Sequence, residues 1–366
     1  MWRPALLKVE PRREVPRALQ WATPLLAVVL TIVTGFFLFL VLGVDPFLAL
    51  WAMFVSPLTS LYGIAELCLK ATPLILCAIG LAIGFRAGVW NIGAEGQLTL
   101  GAIAGGGVAL FWGSFLGPLT LPVMCLFGVL GGMAWAAIPA FLKTRWDVNE
   151  ILTSLMLTYV ATLLLSTLVY GSWKDPDGFN FPQTKFFSDI TEWSAIPIIL
   201  PETRLHLGFL ATLLIVAAAW VLVSRSLIGF QVRVIGLAPA AAGFAGFSRR
   251  KVIWLTMLLS GGLAGLAGLF EVAGPIGQLV PRVSPGYGFT AIIVAFLGRL
   301  NPLGILAAGF LMALSFIGGE NAQVEAQLPQ ATTGVFQGLL LFWVLACDFL
   351  LKYRVRLLRT ATGAAA

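Results

Sequence analysis

The feature that most constrains this chain is its succession of apolar runs, each about twenty residues long, joined by short polar connections. Hydrocarbon offers no hydrogen-bond partners, so runs of this kind cross it as helices whose backbone groups bond internally. With 59% hydrophobic and 11% charged residues among 366, the chain has too little polar surface to cover a water-soluble core. The expected fold class is all-α: a polytopic integral membrane protein of about ten transmembrane segments, one of them short or re-entrant.

Taken in order, the spans fall at 21–43, 63–85, 91–112, 117–142, 151–170, 206–224, 252–272, 303–317 and 333–350. Residues 289–297 form an apolar run too short to cross alone, so they read as a half-span or re-entrant helix whose ends protein or a wet cavity must cover. Residues 47–62, with Trp51, Phe54 and Tyr62, read as an interfacial segment or an extension of the next span. The layout is then a basic tail at 1–20, a transmembrane domain at 21–351 and a second tail at 352–366. The tail at 1–20 runs into a span-length apolar run without a small-residue cleavage site, so it is not read as a leader. Placing both tails, Arg86, Lys143, Arg145, the 225–251 loop and Arg299 on one side gathers 18 of the 23 Lys and Arg there. That asymmetry predicts cytoplasmic termini and an external loop at 172–205. It also explains a net charge of +7 without nucleic acid as a partner.

One polar stretch stands apart. Residues 86–102 interrupt apolar sequence with Asn91, Glu95, Gln97 and four glycines, Gly88, Gly93, Gly96 and Gly101. Such side chains are costly in hydrocarbon unless they are paired or face a wet cavity. The stretch reads as a polar turn between two spans or as a broken helix facing a pathway. Asn91, Glu95, Gln97, Asn149 and Glu150 are the candidates for lining that pathway, with helix–helix hydrogen bonding an equal alternative for each. Glu66 and Lys70 are spaced to pair on one helical face. Cys68, Cys77, Cys125 and Cys347 lie in apolar runs without metal-ligand spacing, and His206 is the single histidine, placed at a membrane interface. No metal site, cofactor or catalytic residue is expected of this chain. It has no Gly-x-x-x-x-Gly-Lys-Ser/Thr phosphate loop, nucleophile elbow or zinc-helix motif. A faint internal echo links Gly84-Phe85-Arg86, followed by Asn91-Ile92-Gly93, to Gly298-Arg299, followed by Asn301-Pro302-Leu303-Gly304.

The run Asn91-Ile92-Gly93-Ala94-Glu95-Gly96-Gln97 resembles the signature of ATP-binding cassette (ABC) importer permeases for nucleosides and simple sugars, within the branched-chain amino acid/ribose permease superfamily. Ala71-Thr72-Pro73-Leu74 belongs to the same block. Three more blocks follow in the family's order. The first begins Asn149-Glu150 and closes Met156-Leu157-Thr158-Tyr159, with Thr158 where the family has Asn. The second runs from Arg233 through Gly236, Pro239 and Ala242 to Gly246, and the third is 286–295 with Asn301-Pro302. The resemblance implies a type II ABC importer-like fold that moves a nucleoside or related simple sugar. It implies delivery by an extracytoplasmic substrate-binding lipoprotein, ATP bound by separate P-loop ATPase subunits, and a second permease subunit, a heterodimer ahead of a homodimer. It further implies residence in the bacterial plasma (inner) membrane, and it places ATPase coupling at Arg233, Gly236, Pro239, Ala242 and Gly246. The residues alone leave one alternative, an ATP-independent secondary carrier or facilitator for a small neutral solute. The scarcity of ionisable residues in the spans weighs against ion coupling.

Overall fold

The computed structural model describes residues 7–11, 17–329 and 331–357. The described chain runs β1 (Leu7–Pro11), α1 (Arg17–Val41), α2 (Pro46–Phe54), α3 (Leu61–Arg86), α4 (Ala94–Leu116), α5 (Thr120–Trp146), α6 (Glu150–Tyr170) and α7 (Phe187–Ile190). It continues through α8 (Gly208–Arg225), α9 (Leu227–Leu237), α10 (Pro239–Phe244), α11 (Arg249–Glu271), α12 (Tyr287–Leu297), α13 (Pro302–Glu325), α14 (Ala331–Lys352) and β2 (Tyr353–Leu357). Helices dominate, as the apolar runs require.

Among the described residues, eight stretches are long and apolar enough to cross a membrane. One of the eight, Ala94–Trp146, is two helices, because Gly117 at φ +52° breaks it between α4 and α5. The short run at 289–297 lies in α12, whose eleven residues rise only about 16 Å.

The chain divides into two compact units, Met1–Ala52 with Ala322–Ala366, and Met53–Asn321. In the first, α1 and α14 pack antiparallel: Phe39 stacks on Phe336, and Trp343 donates its indole N–H to the Thr34 hydroxyl at 3.2 Å. The segments flanking them pair as an antiparallel ribbon, Leu7 opposite Leu357 and Pro11 opposite Tyr353. The two tails of the sequence reading therefore meet in a small sheet.

The second unit is built around α3 and α11. Every residue of α3 from Ala71 to Phe85 is buried. Helix α11 crosses α4 and α5 at backbone contact: a Cβ on Gly265 would lie 2.2 Å from the Gly128 carbonyl oxygen, and one on Gly101 2.2 Å from the Gly265 Cα. Small residues are what allow such an approach between helices in lipid, where packing rather than hydrophobic exclusion holds them together. Indole N–H groups tie the outer helices in, Trp135 to the Leu157 carbonyl and Trp254 to the Thr144 hydroxyl. Helices α5, α6 and α8 turn Leu126, Leu163 and Leu214 outward, as a lipid-facing surface does.

This unit has two ends. Arg86, Lys143, Arg225, Arg249 and Arg299 sit at helix ends on what is termed here the basic face; residues 171–205 form the loop face. On the loop face Glu66 and Lys70 do not depend on each other. Arg204 grips the Glu66 carboxylate through Nε and Nη2, at 2.9 and 2.6 Å, and Lys70 lies 3.4 Å from Glu320. The i,i+4 pair gives way because each charge finds a partner on another element.

Candidate functional site

Two stretches of non-helical backbone enter the second unit, and they meet. The first follows α3. The chain turns at Gly88 (φ +71°) and runs back without helix until α4 starts at Ala94. Asn91 organises this stretch. Its Oδ1 accepts from the Gly93 N–H at 2.9 Å and from Gln97 Nε2 at 3.1 Å; its Nδ2 donates to Gln97 Oε1 at 2.8 Å and to Ser260 Oγ at 3.0 Å. Ser154 Oγ accepts the Ile92 N–H at 3.1 Å. Polar side chains thus satisfy each other and the backbone the helix leaves unpaired, which is the condition for irregular chain at membrane depth. The helix is thus interrupted between Arg86 and Ala94, with the polar side chains buried and paired with one another.

The second stretch follows α11. A π-helical turn at Val272–Ile276 leads to Gly277 (φ +77°), and the chain then runs to α12 without helix. Here the partners are backbone groups of the 171–205 loop. Thr184 N–H donates to the Leu279 carbonyl at 3.1 Å, Phe187 N–H to that of Gly277 at 2.9 Å, and Ile196 N–H to that of Ala273 at 3.2 Å. Leu279 N–H in turn donates to Thr184 Oγ1 at 3.0 Å. Leu279 lies beside Gly106, eleven residues along α4 from Glu95, so this stretch descends about 16 Å before α12 adds a similar rise. Together they match the roughly 30 Å of a hydrocarbon core. The expected half-span is therefore a half-length helix entered by extended chain.

The two stretches join at Glu95. Its Oε2 accepts the Gly288 N–H at 2.6 Å, and a Cβ on Gly288 would stand 2.2 Å from the Glu95 backbone nitrogen. The Ser284 hydroxyl and the Gly286 N–H also turn toward this carboxylate, and Arg282 supplies a nearby positive charge. A carboxylate here caps the open N–H groups of α12 and sits at the positive end of its dipole. Asn91, Glu95 and Gln97 are each more than nine-tenths buried within this joint.

Asn149 and Glu150 lie apart from it, on the basic face. Asn149 Oδ1 caps α6 by accepting the Ile151 N–H at 2.9 Å, and Glu150 Oε2 is 3.3 Å from Lys143 Nζ. Lys143 also reaches Asp147 at 2.9 Å and holds that carboxyl below its usual range. The contribution of α6 to the joint comes from deeper residues. Ser154 holds Ile92, and Gly96 packs against the Thr158 backbone, a Cβ on Gly96 falling 2.7 Å from the Thr158 Cα. Ser154, Ser260 and Ser284 escaped the sequence reading because single serines in apolar helices carry no distinguishing pattern.

The block from Arg233 to Gly246 falls in α9 and α10. Ser226 caps α9 by accepting the Gly229 N–H, and Pro239 opens α10, where its missing N–H costs nothing. Gly236 faces inward: a Cβ there would sit 1.9 Å from the Arg86 carbonyl oxygen, so α9 rests on the end of α3 just ahead of the first break. Ala242 is buried, Gly246 ends the segment at φ +78°, and Arg233 is exposed. Leu237 and Phe244, 80% and 95% exposed, are the most exposed large apolar side chains of α9 and α10. Their signal, apolar residues in a basic loop, was present in the sequence and unused. The internal echo also has a physical counterpart, since Phe85 stacks on Phe296 and Arg86 Nε donates to the Leu300 carbonyl.

Residues 63–345 match the family described as branched-chain amino acid transport system / permease component. Over 356 residues the chain is 39% identical to a glucose ABC transporter permease protein of Haloferax volcanii, covering 95% of this chain and 93% of the relative. It is 31% identical to one guanosine ABC transporter permease protein of Bacillus subtilis, covering 90% and 94%, and 27% identical to a second, covering 68% and 80%. The chain therefore belongs to the branched-chain amino acid transport system permease family, and is a multi-pass membrane subunit of an ABC transporter, a transport component and not an enzyme.

Proposed function

We propose that this permease imports a nucleoside or related simple sugar, handed over by a substrate-binding lipoprotein and driven by separate P-loop ATPase subunits that hold all the ATP. The observation that carries this is near full-length likeness to permeases named for glucose and for guanosine, two uncharged solutes that share a hydroxylated ring. The route is proposed to pass beside the joint at Asn91, Glu95 and Gln97, and the apolar surroundings disfavour a charged solute. Two guanosine permeases of one organism both match this chain, which supports a related second permease as its partner. The pairing of β1 with β2 brings the tails together, in keeping with both termini on the cytoplasmic side of a bacterial inner membrane. Coupling runs through α9 and α10, with Phe244 entering a groove on the ATPase. Nothing favours the self-sufficient carrier.

The test is affinity purification of the full complex from native membranes, followed by uptake of radiolabelled guanosine and glucose in vesicles. Wild type is expected to bring down a stoichiometric ATPase. Phe244→Ser, a change at a solvent-exposed site, is expected to lose most of it while remaining monodisperse. Uptake that persists without ATPase or ATP would end this reading.

A further inference from the structure

We propose that the cleft between the end of α3, α9 and the turn joining α12 to α13 binds the phosphate headgroup of an anionic phospholipid. The cleft has a volume of about 470 Å³, and three arginines from three separate elements line it: Arg86, Arg233 and Arg299. Phe85, Leu237 and Leu300 form the apolar part of its wall. Arg86 commits Nε to the Leu300 carbonyl at 2.9 Å, which fixes the plane of its guanidinium. Among the described residues no carboxylate lies within the 4.0 Å of an ion pair from Arg86 or Arg233. Converging guanidinium groups repel, and a bound oxyanion is what relieves that repulsion while taking paired N–H donors from each.

Two features select a phospholipid over a carboxylate side chain. The cleft lies where α3 and α12 end, at the depth where spanning helices meet headgroups, and basic pockets between helices on this side are known traps for anionic headgroups. Its volume and its apolar wall suit a glycerophosphate entering beside acyl chains, with Trp90, 39% exposed, packed at a tilt against Phe85 nearby. The Gly236 contact with the Arg86 carbonyl belongs to the same wall, so a bound headgroup braces α9 against α3. Only that last consequence rests on α9 being part of the ATPase-coupling segment.

The experiment is native mass spectrometry of the full-length permease, titrated with phosphatidylglycerol or phosphatidylcholine of matched acyl chains. Wild type is expected to retain one phosphatidylglycerol per chain at least tenfold more strongly than phosphatidylcholine. Arg86→Gln with Arg233→Gln is expected to remove that preference. Arg233→Gln alone, at an exposed residue whose loss does not threaten folding, is expected to weaken it at least threefold. Arg249→Gln with Arg250→Gln, an equal loss of charge outside the cleft, is expected to change nothing. Equal retention of the two lipids, or equal loss in the 249/250 variant, overturns the proposal. Unchanged lipid retention in the cleft variants with reduced ATPase recovery also overturns it, and assigns the cleft to an acidic side chain of the ATPase. Failure of wild type to recover any ATPase counts against the transport reading and leaves the lipid result standing.

Discussion

The two broken segments solve one problem in two ways. Both carry non-helical backbone into a membrane unit, where an unpaired N–H or C=O costs several kcal/mol. The segment before α4 is held by side chains, the amides of Asn91 and Gln97 and the hydroxyls of Ser154 and Ser260. The segment before α12 is held mostly by the main chain of a distant loop, through Thr184, Phe187 and Ile196. A side-chain solution is specific and brittle, because each amide serves several partners at once. A main-chain solution spreads the load and tolerates most substitutions. The difference follows from position: the first segment is surrounded by helices whose backbone groups are already paired, whereas the second borders a loop whose groups are free to pair.

The largest expected effect falls where the two solutions touch. Gly288→Ala places a Cβ 2.2 Å from the Glu95 nitrogen and 2.6 Å from its Cα, both backbone atoms that cannot step aside. We expect a loss of about 3–5 kcal/mol, read as a drop in the unfolding temperature of the detergent-purified chain. Gly286→Ala is the matched control. Its φ is +109° but no atom lies within 4 Å of the added Cβ, so only backbone strain of about 1–2 kcal/mol is expected. Equal losses at the two positions would show that the joint is not tightly closed.

Next comes the side-chain solution itself. Asn91→Leu strands the Gln97 amide, the Gly93 N–H and the Ser260 hydroxyl in a buried site, for an expected cost of about 3 kcal/mol. Adding Gln97→Leu is expected to cost little more, because its main partner has already gone. Strict additivity of the two substitutions would mean that the pair does not act as a unit.

This contrast also accounts for what could be read in advance. The spans were legible because hydrocarbon demands long apolar helices, and Asn91, Glu95 and Gln97 stood out because their polarity is expensive there. The Gly and Pro content of 274–288 announced an interruption but not its partners, since every residue of the loop offers the same backbone N–H and C=O. Glu66 and Lys70 looked like a local pair because spacing is visible in sequence, and Arg204 and Glu320 lie far along the chain from them. Gly236 is legible as part of the block the resemblance assigns to coupling, but its inward contact with Arg86 depends on where α9 lands against α3.

The loop that serves the second segment carries its own pH dependence. His206 precedes α8, bridges to Ile198, and lies buried between Phe270 and Gly274, which pushes its pKa from 6.5 down to about 4. Because the folded value is the lower one, the unfolded chain binds more protons between pH 4 and 6.5, and stability falls as pH falls through that window. At pH 5 the expected loss is about 2 kcal/mol relative to neutral pH. His206→Leu removes the titration, so its unfolding temperature is expected to vary less between pH 7.5 and 5 than that of wild type. Parallel curves would place the loop's acid sensitivity elsewhere.

The smallest effect is the most direct measure of how the main-chain solution differs from the side-chain one. Thr184 is fully buried, and Val copies its shape, so Thr184→Val removes the hydroxyl with almost no change in packing. The bonds lost are that from the Leu279 N–H to Thr184 Oγ1 and the weak one from the Thr184 hydroxyl to the neighbouring Lys185 carbonyl; the bond from the Thr184 N–H to the Leu279 carbonyl does not involve the side chain and remains. An expected cost of about 1 kcal/mol follows, a third of that at Asn91. Amide hydrogen exchange should localise it, with Leu279 exchanging faster while Gly277 and Ala273, whose carbonyls are held by Phe187 and Ile196, keep their neighbours protected. A loss matching that of Asn91→Leu, spread over the whole of 273–288, would show that the second segment also hangs on one side chain, and the distinction between the two would collapse.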